Sequence, residues 1–144
     1  MSSTVVPCLR YRDASAVIEW LCSHLGFEKR LVIPAKDGSI GHAELTLGDG
    51  MVMVGSAFDD AYGQLLTTPD STGGLQTQTI WIRVPDADTV FARVVESGAS
   101  IVQTIDDVAQ GGRAFACRDP EGHVWQVGTY DPWAASAQDE SVLP

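Results

Sequence analysis

The chain repeats itself. Leu9-Arg10-Tyr11-Arg12-Asp13-Ala14 is answered 73 positions later by Ile82-Arg83-Val84-Pro85-Asp86-Ala87, with Arg, Asp and Ala coinciding. Self-similarity at a fixed offset constrains a fold strongly, because each copy has to build the same unit. Beyond the repeat, apolar residues at Ala14, Val17, Ile18, Leu21, Cys22 and Leu25 form the i, i+3, i+4, i+7 stripe of an amphipathic helix. Ala87, Val90, Phe91, Val94 and Val95 repeat that stripe. Asp13 and Asp86 stand where a carboxylate caps free N–H groups at a helix start. Gly26 and Gly98 stand where each helix should stop.

The ends of the two copies match at an offset of 72. Gly50-Met51-Val52-Met53-Val54-Gly55 follows the turn Gly48-Asp49-Gly50, and Gly122-His123-Val124-Trp125-Gln126-Val127 follows Asp119-Pro120-Glu121-Gly122. Both turns read as hairpins. Strands are expected near 5–11, 27–33, 40–47 and 51–56, then 77–84, 101–105, 114–118 and 123–129. A long connector carries Pro69, Gly73 and Gly74. The expectation is an α+β fold of two tandem βαβββ modules, 4–58 and 76–132, within one domain spanning 1–134. A small acidic tail, 135–144, is expected to fray.

Composition narrows the partners. With 144 residues and a 44% hydrophobic fraction, the chain can bury a core without staples. Its formal charge of −10 argues against a nucleic-acid backbone or an anionic membrane surface. Cys8, Cys22 and Cys117 form neither a disulfide framework nor a zinc motif. Met1-Ser2-Ser3-Thr4 has neither the basic nor the apolar region of a signal peptide, so a cytoplasmic location is expected.

The opening Pro7-Cys8-Leu9-Arg10-Tyr11-Arg12-Asp13, the helix and Leu25-Gly26-Phe27-Glu28, the segment from Asp37-Gly38 to His42-Ala43-Glu44-Leu45, and the closing Arg118-Asp119-Pro120-Glu121-Gly122-His123-Val124-Trp125 resemble the vicinal oxygen chelate superfamily, in its glyoxalase/bleomycin resistance protein/dioxygenase group. The resemblance covers roughly residues 4–132 and implies two curved sheets around a cavity and a homodimer. It spans different chemistries: metal-dependent lyases, ring-cleaving dioxygenases, fosfomycin-modifying enzymes and metal-free proteins that sequester drugs. In the metal-dependent members, ligands come from the first and last strand of each module. Carried over, those positions fall on Val6, Val54, Thr79 and Gln126. Two are hydrocarbon and two are neutral, so no metal and no cofactor is expected.

Strand alternation nominates a different set. If Ala43, Leu45 and Leu47 face the helix, then His42, Glu44 and Thr46 face the cavity. If Ile80, Ile82 and Val84 face the helix, then Thr79, Trp81 and Arg83 face the cavity. Cys8, Arg10, Val52, Ser56, Arg118 and Gln126 are placed inward by the same rule, with Met51, Met53, Phe115, Cys117 and Trp125 in the core. The candidate ligand-binding residues are therefore Arg10, His42, Glu44, Trp81, Arg83 and Gln126. All but Gln126 have a plainer reading. His42 and Glu44 form a local polar pair, Arg10 and Arg83 pair with carboxylates, and a partner subunit covers Trp81. Phe58, Tyr62, Tyr130 and Trp133 supply an aromatic rim or seal a dimer.

Three functions of different class follow. One is binding or sequestering a small molecule in a metal-free cavity, with a flat neutral or cationic ligand on Trp81. Another is a glyoxalase-type lyase or dioxygenase-like enzyme acting on a small organic substrate, with or without a metal. A third is a dimer whose pocket is vestigial.

Overall fold

The structure is a computed structural model that describes residues 2–134, so the tail at 135–144 lies outside the described residues. The chain forms two compact units. Among the described residues, the first comprises 2–76 together with the returning segment Asp119–His123, and the second comprises Thr77–Arg118 and 124–134.

In the first unit, β1 (Cys8–Tyr11) leads into α1 (Ala14–Trp20), which ends in a wider π-type turn over Leu21–Leu25. Asp13 caps the helix by accepting from Ala16 N at 3.2 Å. Gly26 stops it at φ 89°, a left-handed conformation that suits glycine. Then come β2 (Glu28–Pro34), β3 (Ile40–Leu47) and β4 (Gly50–Ser56), giving a sheet in the order β1-β4-β3-β2. β1 and β4 run parallel, and the other neighbours are antiparallel. Leu9 and Tyr11, Ala43 and Leu45, and Val52 and Val54 are buried with Val17, Ile18, Leu21 and Leu25 of the helical segment. That apolar layer supplies most of the stabilisation, at roughly 25 cal/mol per Å² removed from water.

The second unit repeats the order: β5 (Ile80–Arg83), α2 (Ala87–Glu96), β6 (Ile101–Asp107), β7 (Arg113–Arg118) and β8 (Val124–Gly128), with the sheet ordered β5-β8-β7-β6. Asp86 caps α2 through Thr89 N at 3.2 Å. Ile82, Val90, Val94, Phe115, Cys117, Trp125 and Val127 form its core, with the Phe91 and Phe115 rings edge to face at 5.2 Å.

One strand is reversed relative to the sequence reading. On β4 it is Val52, Val54 and Ser56 that are buried, while Met51 and Met53 lie on the open face. Val52 thus answers Trp125 and Val54 answers Val127, so the offset of 73 persists to the end of the repeat. The cause is loop length. Leu47 pairs with Gly50 across a two-residue turn, whereas Arg118 and Val124 enclose the five residues Asp119–His123. Aligning Gly50 with Gly122 therefore slips β4 by one residue, and one residue inverts every side chain on a strand.

The Asp119–His123 segment completes the first unit. The Asp119 carboxylate organises the turn by accepting from the backbone N of Glu121 at 3.0 Å and of His123 at 3.1 Å. Its other oxygen accepts from the buried Tyr11 hydroxyl at 2.6 Å. Glu121 accepts from Arg12 N and Asp13 N, both at 2.7 Å, where α1 begins. A negative charge is favoured at that end of a helix. The His123 ring stands edge-on to Tyr11 at 4.8 Å, and its Nε2 donates to the Arg10 carbonyl at 3.2 Å. The Asp-Pro-Glu-Gly-His run is thus a structural clasp. No helix among the described residues is long and apolar enough to cross a membrane.

Candidate functional site

Each unit has a helix on one face of its sheet and a recess on the open face. In the second unit the open face holds a cavity of about 620 Å³. Trp81 of β5 and Gln126 of β8 are register partners on that face. The Trp81 ring lies across Gly128, where an added Cβ would come within 2.3 Å of Trp81 Cη2, so the glycine makes room for the indole. Tyr130 meets Trp81 edge to face at 6.5 Å. Gln103, Thr104 and Asp106 of β6, with Gln110, supply polar groups, and Phe115, Val108 and Ala114 supply apolar ones. The Trp81 Nε1–H is buried and has no acceptor among the described residues. Gln126 donates from Nε2 to Thr79 Oγ1 at 2.8 Å. Arg83 is 57% exposed, stands 3.5 Å from Asp131 and does not line this cavity.

In the first unit a smaller recess of about 210 Å³ has Cys8, Arg10, His42, Met53, Gly55 and Tyr62 among its lining residues. Arg10 Nη1 donates to the Ser56 carbonyl at 2.8 Å, and the guanidinium carbon sits 5.1 Å from the centre of the Tyr62 ring. His42 Nε2 donates to Glu44 Oε2 at 2.9 Å, and Arg30 Nη1 donates to Glu44 Oε1 at 2.6 Å. The hydrogen bond from His42, and then Arg30, hold the Glu44 carboxyl below its ordinary range. Both Glu44 oxygens are engaged, and Glu44 is not part of the recess lining.

Of the six nominated residues, the structure thus places Arg10 and His42 together in one recess, with Glu44 beside His42. Trp81 and Gln126 share the other cavity, outside which Arg83 lies. Val52 and Ser56, expected inward, are core residues, and Met53, expected in the core, lines the first recess. The β6 contributors Gln103 and Asp106 were not nominated. The register of β6 against β7 shifts twice, between Ile101 and Gln103 and between Gln103 and Asp106, so alternation does not reveal its faces.

The metal ligands implied by the fold family do not fit these residues. With the β4 register corrected, the first unit offers Val6 and Met53 and the second offers Thr79 and Gln126, which are hydrogen-bonded to each other. None is an imidazole or an anionic oxygen, the donors a divalent ion needs. Among the described residues no three His, Cys, Asp or Glu side chains converge.

A family model described as Glyoxalase/Bleomycin resistance protein/Dioxygenase superfamily matches residues 4–127. The uncharacterized protein Rv0887c of Mycobacterium tuberculosis is 31% identical over 122 residues, covering 85% of this chain and 71% of its own. Among solved structures, TioX from Micromonospora sp. ML1 is 35% identical with a TM-score of 0.68, covering 88% of this chain and 94% of TioX. The fosfomycin resistance protein FosX from Listeria monocytogenes shares the fold, with 14% identity, a TM-score of 0.63 and coverage of 92% and 97%. With two βαβββ units in the same order and a family match over nearly its whole described length, the chain belongs to the glyoxalase/bleomycin resistance protein/dioxygenase superfamily.

Proposed function

We propose that this protein binds and sequesters a small, flat, neutral or cationic molecule in the cavity of its second unit, without a metal. One observation carries the reading: Trp81 and Tyr130 border a cavity of about 620 Å³ whose polar lining, among the described residues, is uncharged or acidic, with no Lys or Arg. An aromatic wall with a few convergent hydrogen-bonding groups suits a planar ligand. Asp106 favours a positive charge on it, and Gln103 and Gln126 take its polar edges. Arg83, on the same strand, serves as an outer contact. The two modules, 4–58 and 76–132, act as one domain in the cytoplasm.

A homodimer is part of this reading. On the edge strand β2, Leu31, Val32 and Ile33 are all exposed, with Ile33 at 48%. An apolar edge is a liability unless something covers it, and a second copy would do so. Ile33→Lys should then halve the mass measured by light scattering. An unchanged mass refutes β2 as the interface.

A second reading, metal-free catalysis, rests on the His42–Glu44 pair, since a carboxylate that orients an imidazole prepares a general base.

The binding reading is tested by calorimetry, after a thermal-shift screen of planar aromatic amines and of divalent metals. Trp81→Ala should weaken the best ligand by about 1–3 kcal/mol. Gly128→Ala, which pushes the indole out of place, should weaken it as well. Equal affinity in both variants, or saturable binding of one metal ion per chain, would sink the proposal.

A further inference from the structure

Arg10 is one of nine Lys and Arg side chains in a chain of net charge −10. Arg12, Arg30, Arg83 and Arg113 each pair with a carboxylate, but no carboxylate pairs with Arg10 among the described residues. Yet its guanidinium is held in place. Nη1 is tied to the Ser56 carbonyl at 2.8 Å, and one face is covered by the Tyr62 ring. Gly55 lies alongside it, a Cβ built there standing 3.4 Å from Nη1, an ordinary contact distance. Nε and Nη2 have no acceptor among the described residues. They are neighbouring donors in one plane, the fork that matches the two oxygens of a carboxylate. The recess beside them is about 210 Å³. A partly buried guanidinium without a counter-ion leaves part of its charge uncompensated, which favours an anion beside it.

We infer that the first unit carries an anion subsite in which the Nε/Nη2 fork of Arg10 grips the carboxylate of a small organic acid. Gly55 and Met53 line the recess with it, and the Tyr62 ring lies against the guanidinium. His42, locked by Glu44 through Nε2, adds a polar wall. This goes beyond the proposed function, which concerns the second unit and a neutral or cationic ligand.

The test is a titration of the full chain with sodium benzoate, following the Arg Nε–H signals in ¹⁵N-edited NMR. Sodium chloride at matched ionic strength and benzylamine serve as controls. Benzoate should move the Arg10 signal saturably, and neither control should. Arg10→Lys keeps the charge but removes the fork, and should weaken benzoate binding about tenfold or more. Arg93→Lys, at an exposed position of α2, should leave it unchanged, which separates the effect of Arg10 from that of any arginine. The inference fails if chloride moves the Arg10 signal as far as benzoate does, or if Arg10→Lys binds benzoate as tightly as the parent. The titration of the unaltered protein decides the matter even if Arg10→Lys folds poorly.

Discussion

Removing one oxygen from Tyr11 tests what completes the first unit. Tyr11 is 0% exposed and Asp119 4%, and the bond between them is 2.6 Å. Burial, and then the charge of Asp119, push the Tyr11 phenol well above its ordinary value, so it stays protonated and donates throughout the working pH range. Tyr11→Phe keeps the ring and its packing against His123 but strips one donor from a buried carboxylate. Hydrogen bonds to charged groups contribute about 1.5–3 kcal/mol, and a buried acceptor left short pays its desolvation in full. For a chain of this length that corresponds to a fall in melting temperature of about 3–12 °C. Urea unfolding should move to a lower midpoint at unchanged slope. A cycle with Asp119→Asn should give a coupling of at least about 1 kcal/mol, because the two residues touch. A melting temperature within about 1 °C of the parent, with additive variants, would refute the clasp.

The corrected register of β4 predicts a sharp contrast between neighbours. Val54→Ala should cost about 2 kcal/mol in urea unfolding, from lost burial and the space left behind, while Met53→Ala should cost much less. The reverse order would restore the slipped register. Glu44, whose folded-state carboxyl is held low by His42 and Arg30, contributes stability above its unfolded value and loses it as pH falls through the folded one. Glu44→Gln should therefore melt below the parent at pH 7 and converge with it as the solution is acidified below the ordinary carboxylate range. A constant difference across the melting series would mean that the pair with His42 does not hold the proton off.

How much of this was legible in the sequence depended on whether the information was local. The helices were, because Val17, Ile18, Leu21 and Leu25 recur at the helical period and Asp13 and Asp86 sit at their caps. Strand β3 was, because Ala43 and Leu45 alternate with polar neighbours, and so were β5 and β8, where Trp125 and Val127 are buried two residues apart and Ile82 is buried opposite Val127. β4 was not. Met51 and Met53 are as apolar as Val52 and Val54, so hydrophobicity cannot choose a face, and a turn glycine marks a hairpin without fixing its length. The clasp was legible as a turn but not as a partner for Tyr11, which is 108 positions away. The cavity residues on β6 were hidden by its bulges.

The segment Asp119–His123 also sets a timetable. The first unit draws on residues up to 76, yet its buried Tyr11 finds its partner, and the Arg12 and Asp13 backbone N–H groups their carboxylate, only in a segment made long after them. During synthesis, at about 5–20 residues per second, Tyr11 would wait several seconds with its hydroxyl unsatisfied. Contacts so distant in sequence are slow to form, because the intervening chain must close a loop before they reward it. Over that interval the nascent first half would expose an incompletely closed core and the apolar edge of β2, the kind of surface a chaperone holds.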